Sequence, residues 1–135
     1  MTEQKTIVVI GNGLAGRSTA EALVKCKEVS VVVIESRTFY EEEYFITYAF
    51  GPGGADHYKA ITHDAGAVAV PEARYVYGTV VSVSETASSP TRVTSAQLQP
   101  PSAARYLVKV SNGEAVEADA VVCATGYVSI WGSNP

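Results

Sequence analysis

Three glycines within six residues, Gly11-Asn12-Gly13-Leu14-Ala15-Gly16, follow the β-branched run Thr6-Ile7-Val8-Val9-Ile10 without a break. The spacing is GxGxxG, in the setting that gives this pattern its chemistry: directly after a strand and at the opening of a helix. Gly11 permits the tight turn, Gly13 puts no side chain between the backbone and a diphosphate, and Gly16 lets the helix pack closely on the strand. The N–H groups of Leu14 and Ala15 open the helix, where unpaired donors and about half a positive charge face an incoming anion. Glu35 stands nineteen residues past Gly16, at the end of a second β-branched run. An acid there accepts hydrogen bonds from an adenosine ribose. A 2′-phosphate would meet its like charge, which disfavours NADP, with Arg37 two residues on as the opposing feature.

These residues need a parallel sheet and a helix to hold them. Thr6–Ile10 reads as a strand buried on both faces. From Leu14 to about Val24 the apolar residues Leu14, Ala15, Ala20, Leu23 and Val24 recur at helical spacing. Val29–Ile34 is the second strand, ending at Glu35 and completing a β-α-β unit. Between Ser36 and Ala73 the pattern weakens into a loop or helix, the aromatic-rich stretch Phe39–Phe50, followed by a turn at Gly51-Pro52-Gly53-Gly54. Strand character returns over Ala73–Val83, with Gly78 marking a bulge or a close backbone approach. Residues 84–104 are rich in Ser, Thr, Pro and Ala and read as a mobile insertion. Tyr106–Val110, Asn112-Gly113 and Glu114–Ala118 form a hairpin signal. Ala120–Ala124, ending in Thr125-Gly126, reads as another buried parallel strand. The expected architecture is therefore α/β and Rossmann-like, a central parallel sheet with an antiparallel excursion before the last strand.

Composition narrows the partners. At 135 residues, 47% hydrophobic and 18% charged, the chain holds one core, and residues 1–135 form one domain. A net charge of -4, without any cluster of Lys and Arg, disfavours nucleic acid. No apolar run approaches the ~18 residues of a membrane span. Cys26 and Cys123 form no CxxC, and two thiols in such a chain suggest a reducing, cytoplasmic compartment. Glu41-Glu42-Glu43 reads as a solvated loop or helix start. His57 and His63, six residues apart beside Asp56 and Asp64, are read as satisfied or exposed side chains in a loop, not metal ligands. Cys123, inside an apolar strand, is read as a buried inert thiol, and Gly51–Gly54 lacks the Lys-Ser/Thr ending of a P-loop.

On these residues the chain resembles the FAD-dependent pyridine nucleotide-disulfide oxidoreductase superfamily, especially its apoptosis-inducing-factor-like and type II NADH dehydrogenase-like branch. Ile7 to Leu23 matches the extended dinucleotide fingerprint, with Ala20 at its small position, and Glu35-Ser36-Arg37 matches the ribose-binding strand end. Val121-Val122-Cys123-Ala124-Thr125-Gly126-Tyr127 resembles the family's second motif, which follows a small antiparallel meander and passes close to FAD. The resemblance implies FAD contacts at Gly11, Gly13, Leu14, Ala15, Gly16, Glu35, Ser36, Arg37, Val80, Ala124, Thr125 and Gly126, with Val80 acting on the adenine through its backbone. It also implies that Tyr40 to Phe45 runs near the flavin ring. The implied class is an oxidoreductase in which NAD(P)H reduces FAD and electrons pass to a quinone or similar acceptor.

Departures from the family pattern accompany these matches. Lys27 stands where the fingerprint often has a further glycine, so the turn after the helix must be made differently. A second GxGxxG for NAD(P)H and the third FAD motif do not follow Thr125-Gly126, and no redox disulfide flanks the flavin position. The expectation is thus a truncated flavoprotein, the N-terminal FAD-binding portion, whose partner is a second copy or the missing C-terminal half. Three other readings remain open: a nucleotide-binding regulatory module without turnover, an NAD- or S-adenosylmethionine-binding Rossmann domain, and a structural protein pairing through its sheet edges.

Overall fold

The computed structural model of the protein describes residues 4–41, 50–86 and 106–126. Its first unit is β1 (Lys5–Ile10), α1 (Leu14–Leu23) and β2 (Val29–Glu35), with β1 and β2 parallel and Ile10 opposite Ile34. The β-branched runs explain the strands, since both faces of each are buried: Val8, Val9, Val31, Val32 and Val33 are at most 4% exposed. The turn after α1 uses no left-handed residue. Val24 closes the helix in a right-handed conformation, and Cys26 and Val29 bond back to the carbonyls of Leu23 and Cys26. This is how the chain manages with Lys27 in place of glycine.

The stretch after β2 is more structured than its sequence pattern suggests. β3 (Phe39–Glu41) pairs antiparallel with β4 (Thr62–Asp64), and between them lies α2 (Gly54–Ile61). A short 3-10 helix, Ala65–Val68, follows. His57 is therefore in α2 and His63 in β4, and neither is in the loop expected for them. Of the acidic triplet, Glu41 ends β3, and Glu42 and Glu43 lie outside the described residues.

Where one strand was expected over Ala73–Val83 there are two, in different sheets. β5 (Arg74–Tyr77) joins the parallel sheet beside β2, and β6 (Val80–Glu85) pairs antiparallel with β7 (Tyr106–Val110). Gly78 makes the change of sheet. A Cβ there would stand 2.6 Å from Val110 Cγ1 and 3.1 Å from Ser111 Oγ, which makes it a close approach and not a bulge. β6 continues through Glu85, so the first two residues of the insertion expected over 84–104 lie in a strand; residues 87–104 are outside the described residues.

β7 turns into β8 (Ala115–Ala118) through Ser111-Asn112-Gly113. Only Gly113 takes a positive φ, 92°, so this is a three-residue loop and not a two-residue turn with both central residues left-handed. β9 (Ala120–Cys123) then pairs parallel with β1, giving the strand order β5-β2-β1-β9. The architecture is α/β and Rossmann-like. One face of the parallel sheet, through Val8, Ile10, Val32, Ile34 and Val76, packs on Val108, Val110, Val116 and Ala118 of the β6-β7-β8 meander. The opposite face, through Val9, Val31 and Val33, packs on Ala20 of α1 and on Val70. Among the described residues β9 has a strand partner on one side only, and its valines are half-buried, not fully buried as expected. At its end Cys123 is exposed, which corrects the expectation of a buried thiol. Leu14 and Ala15 are likewise exposed: they flank the glycine turn at the head of α1, and the core face of the helix begins at Gly16 and Ala20.

Candidate functional site: the carboxyl ends of β1, β2 and β9

The strand order reverses at β1, which has β2 on one side and β9 on the other, and in open α/β sheets ligands bind beyond the carboxyl ends at such a point. Gly11–Gly16 follows β1 there. Gly11 has φ 101°, and its N–H donates to the Ile34 carbonyl at 2.8 Å. A Cβ on Gly11 would lie 2.9 Å from the Ala124 carbonyl carbon and 3.2 Å from Thr125 Cα, so the end of β9 fills the space a side chain would need. Ala124 is fixed by its own N–H, which donates to Ile10 O at 2.8 Å. Gly16 is confined in the same way, because its Cβ would stand 2.8 Å from the Gly11 carbonyl carbon and 3.4 Å from Ala124 Cβ.

Gly13 differs from both. Its φ is an ordinary -69°, and a Cβ there would meet nothing within 4 Å. Gly11 and Gly16 are small because the protein packs against them, whereas Gly13 presents bare backbone to open space. Gly13 is also the N-cap of α1; among the described residues no side chain caps this end, and the first turn carries no acid. The N–H groups of the first turn have no partner within the helix and form its positive end.

Glu35 is 6% exposed and engaged by both oxygens. Oε2 accepts the Asn12 N–H at 2.7 Å, and Oε1 accepts the Arg37 N–H at 2.8 Å and the Ser36 hydroxyl at 3.4 Å. A carboxylate has about four lone-pair positions, so these three donors leave one, on Oε2, for a hydroxyl donor. Gly78 N–H donates to the Glu35 carbonyl at 2.9 Å, tying the β5–β6 junction to the same place. The Arg37 guanidinium lies 5.7 Å from the centre of the Phe39 ring, and that of Arg17 lies 5.9 Å from the Tyr40 ring.

The sequence profile of the pyridine nucleotide-disulphide oxidoreductases matches residues 5–131. The chain belongs to this family. No curated protein matches it. Among solved structures it is similar to the sulfide:quinone oxidoreductase of the hyperthermophilic bacterium Aquifex aeolicus, with a TM-score of 0.63 and 21% identity over 95% of this chain and 26% of that one. It is also similar to LpdA of Mycobacterium tuberculosis, with a TM-score of 0.52 and 18% identity over 96% of this chain and 22% of that one. At such identities the likeness is one of fold, and the chain spans about a quarter of the length of either structure.

Within this family framework the expected site residues separate into two groups. Gly11, Gly13, Leu14, Ala15, Gly16, Glu35, Ser36, Arg37, Ala124, Thr125 and Gly126 gather around the carboxyl ends of β1, β2 and β9. Val80 stands apart: it opens β6 opposite Val110, its side chain packed on the core face of the meander. Tyr40 lies beside Arg17 and 6.3 Å from the His63 ring, while residues 42–45 fall outside the described residues. Sequence reasoning passed over Asn12 and Tyr75. Asn12 is 2% exposed, and its Oδ1 accepts the Tyr75 hydroxyl at 3.0 Å. The available signal was an amide side chain beside buried strand ends, a position where a polar group needs a partner. Among the described residues no group of three or more His, Cys, Asp or Glu could hold a metal ion, and no helix is long and apolar enough to cross a membrane.

Proposed function

We propose that the chain binds the ADP half of FAD as the N-terminal part of a pyridine-nucleotide-dependent flavin oxidoreductase. The observation that carries this reading is Gly13: an unobstructed backbone face at the uncapped head of α1, beside a buried carboxylate already held in place. The donor set fits the group. Gly13, Leu14, Ala15 and Gly16 would receive the diphosphate on backbone N–H groups. Glu35 would accept a ribose hydroxyl, with Ser36 and Arg37 beside it, while its charge opposes a 2′-phosphate. The Gly78–Val80 segment would offer main-chain atoms to the adenine, and Ala124-Thr125-Gly126 would border the cofactor from β9. When bound, FAD supplies the hydride-accepting ring; the chain's own residues bind and orient it.

Hydride delivery by NADH or NADPH and onward transfer to a quinone belong to this reading at the level of the whole protein. The name of the Aquifex relative, a sulfide:quinone oxidoreductase, supports a quinone as the class of acceptor. A homo-oligomer or a C-terminal half would complete the flavin end of the site.

Calorimetric titration with FAD, NAD+ and S-adenosylmethionine, on the wild type and on Gly13→Val, tests the proposal. FAD should bind in preference to the other two, and Gly13→Val should raise its Kd by at least about tenfold, equivalent to ~1.4 kcal/mol. Preference for NAD+ or S-adenosylmethionine, or an unchanged FAD affinity in the variant, would overturn it.

A further inference from the structure

The second residue of the glycine turn is held in a way that the dinucleotide pattern does not require. Asn12 is gripped twice: its backbone N–H by Glu35 at the end of β2, and its side-chain oxygen by Tyr75 of β5, sixty-three positions away. Tyr75 is fixed in turn, because its hydroxyl accepts the Val70 N–H at 3.0 Å and its ring packs against the cluster of Val9, Val31 and Val33. The hydroxyl therefore donates to Asn12 and accepts from Val70, both of its hydrogen-bonding roles being used inside the protein. Burial pushes its pKa up, which keeps the proton the Asn12 bond needs.

The turn is free where it faces solvent and fixed where it faces the sheet. Gly13, the next residue, has no neighbour around its Cβ position. Asn12 is thus the last point at which the protein grips the chain before the open face begins. If this grip were lost, the buried amide oxygen would be left without its donor, a costly state that favours turn conformations in which Asn12 finds water.

We propose that Tyr75 is a positioning residue for the dinucleotide turn: through Asn12 Oδ1 its hydroxyl holds residues 11–13 in the conformation that presents Gly13 and the head of α1 to the diphosphate. This rests on the reading of the site as a dinucleotide cleft. Affinity falls in proportion to the fraction of molecules in the competent conformation. Tyr75→Phe, which removes the hydroxyl and keeps the ring, should lower that fraction to about a tenth and raise the Kd for FAD about tenfold.

Two measurements on the full chain test the proposal. Without ligand, amide hydrogen exchange in Tyr75→Phe should quicken at Asn12 and Val70, while the β1 and β2 core amides keep wild-type protection relative to global unfolding. Uniform quickening across the sheet would mean general support of the fold, and would overturn the proposal. FAD titration of Tyr75→Phe, Asn12→Ala and the double variant forms a cycle. If Tyr75 acts through Asn12, the double variant should bind no more weakly than Asn12→Ala alone. Additive losses would overturn it. A wild type that binds no FAD would remove the flavin reading alone, since exchange at Asn12 still decides whether Tyr75 holds the turn.

Discussion

Asn12 and Glu35, twenty-three positions apart, are joined by a buried 2.7 Å hydrogen bond from the backbone N–H of one to the carboxylate of the other. The acid that ends β2 thereby also locks the turn that ends β1. Its position serves two purposes, and a substitution there should show both.

Glu35→Gln tests the structural half. The second carboxylate oxygen becomes an NH2 that faces a backbone donor, Asn12 or Arg37, so one of two charge-assisted bonds is lost in a buried place. Hydrogen bonds to charged groups contribute about 1.5–3 kcal/mol each, and Glu35→Gln should destabilise the fold by roughly that amount in urea denaturation. Unchanged stability would show that Glu35 does not brace the turn. On the flavin reading the same variant should also lose its discrimination against a 2′-phosphorylated ribose.

The three glycines of the turn should separate under substitution by alanine. Gly16→Ala drives a methyl into the backbone carbonyl group of Gly11, and Gly11→Ala drives one into the backbone of Ala124 and Thr125 and also strains a φ of 101°. Each should destabilise by several kcal/mol, on the order of the largest single-residue effects. Gly13→Ala meets open space at an ordinary φ, so the loss of backbone entropy in the unfolded chain and the poorer N-cap nearly offset each other. Its stability should stay within about 1 kcal/mol of wild type. Thermal denaturation of the three variants checks the order. A Gly13→Ala protein as unstable as Gly16→Ala would mean that the Gly13 face is already occupied by the chain itself.

How much of this was legible in the sequence follows from the range of the interactions involved. The β-α-β unit could be read because its signals are local and mutually consistent: two continuous β-branched runs, a helical pattern between them and glycines at the turn. The β7-β8 hairpin was legible for the same reason, with Asn112-Gly113 as its local mark. α2 escaped notice because it is only eight residues long and opens on glycine, directly after Gly53 at φ 76°, so its weak periodicity is masked by turn-forming residues. The run Ala73–Val83 has strand propensity throughout, and propensity carries no information on which sheet each half joins; the crowding of Gly78 against Val110 decides that. At the site, the glycines and Glu35 have fixed spacings and could be read directly. Asn12 and Tyr75 meet only once β1 and β5 flank β2 in the folded sheet.

That meeting has a consequence at alkaline pH. Burial raises the Tyr75 hydroxyl above the ordinary tyrosine value, outweighing the Val70 N–H bond, which pulls the other way; Tyr77 nearby adds to the rise. The folded state thus prefers the protonated form, whereas the unfolded chain titrates near the ordinary tyrosine value of about 10. The stability due to this preference is fully present below that pH and is lost as pH rises through the higher folded-state value. Urea denaturation of wild type and Tyr75→Phe between pH 8 and 11 isolates the effect, because the other titrating groups are common to both. The advantage of the wild type should be constant up to about pH 10 and shrink above it. An advantage that stayed level through pH 11 would mean that folding does not change the proton affinity of the Tyr75 hydroxyl, and would overturn the premise that burial holds its proton.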